Sequence, residues 1–439
     1  MAIIPQQQLF SWKEIENLAD LRRLWLLLKY LPDEALMQKL ESERGQGRDD
    51  YPVRAVWNSI LAGIVYQHLS IESLRRELMR NGELRQLCGF DLLRGIDAVP
   101  SANAYTNFLR QLIKHFELVE AIFYELIEKL SDGLLPDFGK TLSADSKAIA
   151  SLARRVSKRR QTDGRGEADA DIGVKKYKGK RKDGSTWESI KSWFGFKLHL
   201  IVDADYELPI DYQVTKASAA DITVGRDMVE KIASERKHVL EKAEFFCADK
   251  GFDDTTLIKT LWYGHKIKPV IDIRDTWKIE GARLVHGQRN VTHDYKGTVY
   301  CHCPVTRVKR LMAFGGFEKD RETLKYRCPA KYYGLECKGM KRCCIGDSIR
   351  IPISSNPRIF TPLARSSYMW KTIYKKRPAV ERVNSRLDES FGFEKHFIRG
   401  IKKMKLRCCL ALMVILAMAY GRVKEKQTKH IRSLVHPAA

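Results

Sequence analysis

The sequence predicts an α/β domain built on a mixed sheet, preceded by a helical domain and interrupted by a cysteine-rich insertion. Up to about residue 135, apolar residues recur at three- and four-residue intervals, the period of an amphipathic helix. After Pro136 the pattern shifts to alternation and short continuous apolar runs, the signature of strands. Between 275 and 357 stand Cys301, Cys303, Cys328, Cys337, Cys343 and Cys344 among many lysines and arginines.

The first segment, 1–135, holds LADLRRLWLLLKYL, DEALMQKLESE, YPVRAVWNSILAGIVYQHL, IESLRRELMRN and AYTNFLRQLIKHFELVEAIFYELIEKL, each with helical spacing. Pro52 suits a first helical turn, and Ser70 followed by Glu72 and Ser73 marks another helix start. Short helices with polar outer faces permit a helix-turn-helix-like DNA reader and equally a bundle that only dimerises.

In 136–274, the runs KTLSADSKAI, SWFGFKLHLIVDAD, ELPIDYQVTKA, EFFCADKGF and IKPVIDIR read as strands, with the helical stretch ITVGRDMVEKIASE among them. Three strands, a helix, a strand, a helix and a strand describe a mixed sheet. The stretch 154–182 is rich in Lys, Arg, Gly and Asp and reads as a mobile basic loop able to meet phosphates. In 358–439 a helical pattern returns as YMWKTIYKKRPAVERVNSRLDESFGF, with Pro378 expected at a first turn, then as the apolar LRCCLALMVILAMAY. The apolar run 408–420 is short of the roughly 20 residues that span a bilayer, so it reads as a buried core helix and no membrane is expected as a partner.

Of 439 residues, 44% are apolar, enough for a real core, and 78 Lys plus Arg against 54 Asp plus Glu leave a formal charge of +24. Such an excess favours a polyanionic partner, with nucleic acid first. The N-terminus lacks the basic head, apolar centre and small-residue cleavage site of a secretory signal, so a cytoplasmic location is expected. Ten cysteines there read as free thiols or metal ligands before disulfides.

Three acids carry the candidate chemistry. Asp145 sits in the strand-like LSADSKAI, flanked by small residues. Asp249 ends an apolar strand just before a turn containing Gly251, where carboxylates of α/β sheets tend to face the functional crevice. Glu381 lies on a helix in PAVERVN. Hard cations such as Mg²⁺ prefer oxygen ligands, and two such ions about 3.5–4 Å apart serve phosphoryl transfer. Taken singly, each acid has an ordinary alternative, a turn cap for the two Asp and solvation for Glu381.

The stretches ADSKAI, FFCADKGF and YKKRPAVERVNSRL, in this order with a long gap before the last, resemble the three acidic motifs of DDE transposases of bacterial insertion sequences. Tyr374, Arg377 and Glu381 are similar to the first three members of the Tyr-Arg-Glu-Lys signature of one group of them. The fourth departs: seven residues after Glu381 stands Asp388, where Lys or Arg is usual, and Arg386 is the expected substitute cation. GFKLHL, with Lys197 and His199, resembles a strand ahead of the second Asp, and YPVRAVWNSILAGIVYQHLSIESLRREL resembles the helical domain that precedes many of these enzymes.

The resemblance implies a ribonuclease-H-like catalytic domain with Asp145, Asp249 and Glu381 holding Mg²⁺ (or Mn²⁺), two ions in all. It implies DNA contacts from Tyr374, Arg377, Arg386 and Lys197, element ends and target DNA as partners, and a homodimer when DNA is bound. The implied reaction is hydrolysis at the element's end followed by attack of the 3′-hydroxyl on target DNA. The alternatives are a metal-dependent endonuclease of the same fold and a non-catalytic DNA-binding protein derived from a transposase. On one helix, Tyr374, Arg377 and Glu381 share a face at intervals of three and four; an ordinary Arg377–Glu381 surface ion pair is the competing reading. His199, alternating with apolar residues, is expected to be structural.

The insertion has thiols enough for a tetrahedral Zn²⁺ site, although Cys301-His302-Cys303 is tighter than usual zinc-ligand spacing. The alternative is free cysteines in a small β-rich insertion. Tyr295, Tyr300, Phe314, Tyr326, Tyr332 and Tyr333 would stack on unpaired bases or form the insertion's own core.

Overall fold

The computed structural model describes residues 20–44, 50–153, 155, 166–181, 183–277 and 281–434. Helices α1 (Leu21–Tyr30), α2 (Glu34–Arg44), α3 (Val53–Val65), α4 (Ile71–Arg80), α5 (Gly82–Cys88), α6 (Ala102–Lys114) and α7 (Phe116–Ser131) fill the N-terminal part. Their boundaries follow local chemistry. Ser70 Oγ accepts the Ser73 N–H at 3.1 Å and starts α4, and Asn81 Oδ1 accepts the Leu84 N–H at 2.9 Å and starts α5. Gly89, at φ 94°, ends α5 in the left-handed conformation that a residue without Cβ adopts most easily. Buried Asp33 accepts from the Trp57 indole at 2.6 Å and pairs with Arg54, fastening the α1–α2 turn to α3.

The sheet contains β1 (Thr141–Ala150), β2 (Asp171–Lys180), β3 (Thr186–Asp203), β4 (Leu208–Lys216), β5 (Phe245–Ala248) and β6 (Lys268–Ile271). β3 is antiparallel to β1, β2 and β4, whereas β1, β5 and β6 are mutually parallel neighbours. Helices α8 (Asp221–Glu235) and α9 (Lys237–Glu241) cross from β4 to β5, and α10 (Thr255–Lys259) leads toward β6. This mixed sheet with its helices fits the ribonuclease-H-like fold.

One expectation is corrected here. Within the supposed basic loop, 154, 156–165 and 182 lie outside the described residues, but Asp171–Lys180 is strand β2, paired along its length with the first half of the 18-residue β3. Lysines and glycines hide it from local composition. Two of those glycines are demanded by the pairing: a Cβ on Gly173 would come within 2.4 Å of the Trp193 ring, and one on Gly179 within 2.5 Å of the Trp187 ring. The indoles lie over the space the glycines leave, a cross-strand contact no single-strand pattern encodes.

Seven short strands follow: β7 (Arg283–Leu284), β8 (Val291–His293), β9 (Val299–His302) and β10 (Lys309–Leu311) in one sheet, and β11 (Ala313–Glu318), β12 (Thr323–Arg327) and β13 (Ser348–Pro352) in another. Helix α11 (Pro329–Tyr333) sits between β12 and β13. This segment has its own apolar core around Val291, Val299, Leu324, Tyr326, Ile349 and Ile351.

The chain ends with α12 (Tyr368–Tyr374), α13 (Ala379–Phe391) and α14 (Ile401–Lys424). A helix starts at Pro378 as expected, with the proline one position before the first turn: residues 375–378 form turns, and Pro378 is the residue that caps α13. Proline has no N–H to continue the ladder, and its ring crowds the preceding turn. Helix α14 is long and apolar enough to cross a membrane, yet every residue from 408 to 419 is at most 3% exposed. It packs against α1, α3, α7 and β4, so the N-terminal helices and the sheet share one core. Each Leu, Ile or Met buried there contributes about 1.5–3 kcal/mol, which explains an all-apolar stretch from Cys408 to Ala419 inside the protein.

Candidate active site

The site is set by strand register. Ala144 of β1 lies beside Ala248 of β5, so the next residues, Asp145 within β1 and Asp249 just past the end of β5, stand side by side on two parallel neighbouring strands. Side chains alternate along a strand, so Ser143, Asp145 and Lys147 share a face. All three meet the chain around α13. Ser143 Oγ donates to the Arg377 carbonyl at 2.7 Å, Asp145 Oδ2 is 4.0 Å from Arg377 Nη1, and Lys147 is hydrogen-bonded to Asp388.

Asp145 is largely buried, and that burial, with Asp249 as a like-charged neighbour, pushes its carboxyl up to about 6 against the pull of the Ser146 N–H, Lys175 and Arg377. The Ser146 N–H donates to its Oδ1 at 2.7 Å. Asp249 accepts the Gly251 N–H at 2.7 Å, and a Cβ at Gly251 would come within 2.7 Å of the same Asp249 oxygen, so the absent side chain makes room for the carboxylate. Arg377 donates to Glu381 across one turn while facing Asp145, which places one guanidinium between two acids from distant segments. Glu381, in the first turn of α13, is half exposed. Tyr374 stacks on Trp370 with ring centroids 4.5 Å apart, and burial pushes its phenol up to about 12, so it stays protonated at neutral pH. The break at 375–378 means that Tyr374, Arg377 and Glu381 reach this region from a helix, a turn and a second helix instead of along one helical face.

An acid missed in the sequence stands next in line. Ile271 of β6 pairs with Ala248, so Asp272 continues the row of strand-end carboxylates beside Asp249. The signal was available, because VID repeats the pattern of an apolar run ending in Asp.

Two expected DNA contacts are placed elsewhere. Lys197 pairs with Ala148, whose side chain points to the face opposite Asp145; its ammonium is buried, donating to the Ala219 carbonyl at 2.8 Å and to Asp221 at 3.0 Å. Arg386 does not replace the missing cation near the acids. It donates to the carbonyls of Glu207 and Arg432, and burial lowers it to about 10. In both cases protein acceptors already occupy the charged head, which local sequence cannot reveal. His199 shares the Lys197 face, bonds Thr215 at 3.0 Å and is lowered to about 4 by burial, the setting of a neutral structural histidine.

In the cysteine-rich segment, Cys301, Cys303, Cys328, Cys337 and Cys343 line one cavity of about 20 Å³, while exposed Cys344 turns to Asn290. Tyr326, Phe314 and Tyr295 belong to the small core or pack on it, and Tyr332 and Tyr333 are exposed with their rings edge to face. Among the described residues no three His, Cys, Asp or Glu side chains are gathered closely enough to hold a metal ion as they stand. Glu381 is hydrogen-bonded to Arg377.

Residues 157–417, more than half of the chain, match the family model described as Transposase DDE domain, a span that begins after Asp145 and includes Asp249, Arg377 and Glu381. A comparison with curated proteins finds no match. With this match and the mixed sheet beneath it, the chain belongs to the family of DDE transposases.

Proposed function

We propose that the protein binds the ends of an insertion sequence, cleaves DNA there and joins the 3′-hydroxyl ends to target DNA, with Asp145, Asp249 and Glu381 holding two Mg²⁺ (or Mn²⁺) ions. The observation that carries this reading is the pairing of Ala144 with Ala248, which sets two carboxylates side by side with Arg377 linking Glu381 to the same point. The donors are all hard oxygens, and the Asp145 carboxyl, raised by burial and by Asp249 beside it, is one whose charged form a bound cation would favour. Bound there, divalent ions would activate an attacking oxygen and stabilise a leaving one. In this reading Arg377 moves its guanidinium from Glu381 to a DNA phosphate, which positions the strand and frees the Glu381 carboxylate at the same moment. Tyr374, kept neutral, donates a hydrogen bond beside it. The excess of 78 basic over 54 acidic residues supports DNA as partner, and the need to hold two ends together supports a homodimer.

Purified protein is incubated with duplexes bearing its element's ends, target DNA and Mg²⁺, and nicks and joined products are mapped on both strands. Nicks at the ends with joined products are expected. Cleavage without joining favours the endonuclease, and end binding without cleavage favours the non-catalytic protein. Asp145→Asn, Asp249→Asn and Glu381→Gln each bind ends normally and lose at least about 10³-fold in cleavage, the loss of several kcal/mol of charge stabilisation. Normal cleavage by any variant removes that residue from the site.

The cysteine cavity supports a separate reading, a structural Zn²⁺ held by four of the five thiols after their side chains turn inward. Its volume suits one small sphere, and the Thr306 N–H already donates to Cys303 Sγ at 3.5 Å, the kind of bond that stabilises a thiolate ligand. Metal analysis of the purified chain gives one zinc per chain on this reading; a zinc-free, fully folded protein refutes it.

A further inference from the structure

Beside the Ser143–Arg377 hydrogen bond, the fold joins β1 to α13 through two charged rungs. The first runs from Asp145 through Arg377 to Glu381. The second is the hydrogen-bonded ion pair between Lys147, two residues along the same strand face, and Asp388, two helical turns beyond Glu381. This second rung is well shielded: the Lys147 side chain is 11% exposed and that of Asp388 23%. The other Asp388 oxygen is buried without a hydrogen-bond partner, so Lys147 is the cation that makes this carboxylate tolerable. Glu394, 3.8 Å away, is a second acid facing the same ammonium.

Apolar contacts from Val380, Val383 and Leu387 press α13 onto the sheet but are non-directional, and the bonds of Arg382 and Arg386 run to Glu207, between β3 and β4, not to β1. A single rung to β1 fixes the helix at one point of that strand only. Two rungs at different points along the strand set both its angle and its rotation. The apparent misfit at position 388, an acid where a cation is usual, then has a partner supplied by the strand.

We propose that Lys147 and Asp388 form a positioning pair that holds α13 on β1 so that Glu381 faces Asp145. The proposal rests on Glu381 acting as a catalytic acid. Neither residue touches DNA in this role, so its removal affects cleavage and not end binding.

The test uses the full chain, duplexes bearing the element's ends and a Mg²⁺ titration. Asp388→Asn and Lys147→Met are expected to bind ends with unchanged Kd and to cleave on the order of 10²-fold more slowly, the cost of a misplaced catalytic group. Half-maximal cleavage shifts to higher Mg²⁺. Lys147→Arg retains most activity, and the exchanged pair Lys147→Asp with Asp388→Lys regains it, which a general loss of stability would not produce. Wild-type rate and Mg²⁺ dependence in Asp388→Asn overturn the pair while Asp145→Asn remains inactive. A folded exchange variant as slow as Lys147→Met overturns it too. Normal cleavage by Asp145→Asn or Glu381→Gln instead overturns the underlying assignment of the acids.

Discussion

Arg377 is hydrogen-bonded to Glu381 one helical turn ahead and stands 4.0 Å from Asp145, so a single guanidinium serves an acid on the helix and an acid on the sheet. A fork of N–H donors at this point matches a phosphate better than an ammonium does. Arg377→Ala is expected to weaken end binding and to reduce the slope of log Kd against log salt by about 1, the value for one lost phosphate contact. Arg377→Lys restores the slope but not the full cleavage rate. Equal cleavage by the lysine variant and the wild type would show that the forked geometry is immaterial.

The raised Asp145 carboxyl has a consequence for stability. Its folded value of about 6 lies above the ordinary 3.8, so the folded state holds a proton that the unfolded state releases, and stability from this group falls as pH rises from about 4 through 6. Asp145→Asn lacks that loss. In chelator, denaturant unfolding at pH 4 and pH 7 should show the variant gaining about 1–3 kcal/mol on the wild type between the two. A constant difference across this range removes burial of an uncompensated charge as a property of the site.

Gly251 has no left-handed backbone conformation to protect, so its role is space. Gly251→Ala brings a Cβ within 2.7 Å of Asp249 Oδ1 and displaces the carboxylate. Cleavage is expected to fall by about 10-fold or more from that displacement, with melting temperature nearly unchanged. An alanine variant with full activity means that the Asp249 position is less constrained than its turn suggests.

Arg386 stabilises the fold through the Glu207 and Arg432 carbonyls. Arg386→Ala should cost about 1–3 kcal/mol in equilibrium unfolding, from two lost charge-assisted hydrogen bonds, and leave end affinity unchanged. A selective loss of DNA affinity at unchanged stability would return this residue to the DNA interface.

The order of strands and helices was legible because each run in β1, β3, β4, β5 and β6 buries enough apolar surface to show its period locally. Asp249 stood out as a candidate because it ends an apolar run, and Asp145 because small residues flank it in a strand-like stretch. The strand β2 was not legible, since Gly173 and Gly179 make sense only once Trp193 and Trp187 lie across from them.

By itself, the sequence determined the α/β class, three candidate acids in their order, and the strand, turn and helix segments that carry them, because these depend on near neighbours and on side-chain chemistry. The tertiary structure alone decided which charges meet. It placed Asp272 beside Asp249, set Arg377 between Asp145 and Glu381, paired Lys147 with Asp388, and committed Lys197 and Arg386 to acceptors far along the chain. The physical reason is that an ion pair depends on distance and burial in space, and residues 241 positions apart, as Lys147 and Asp388 are, leave no local pattern that shows they will touch.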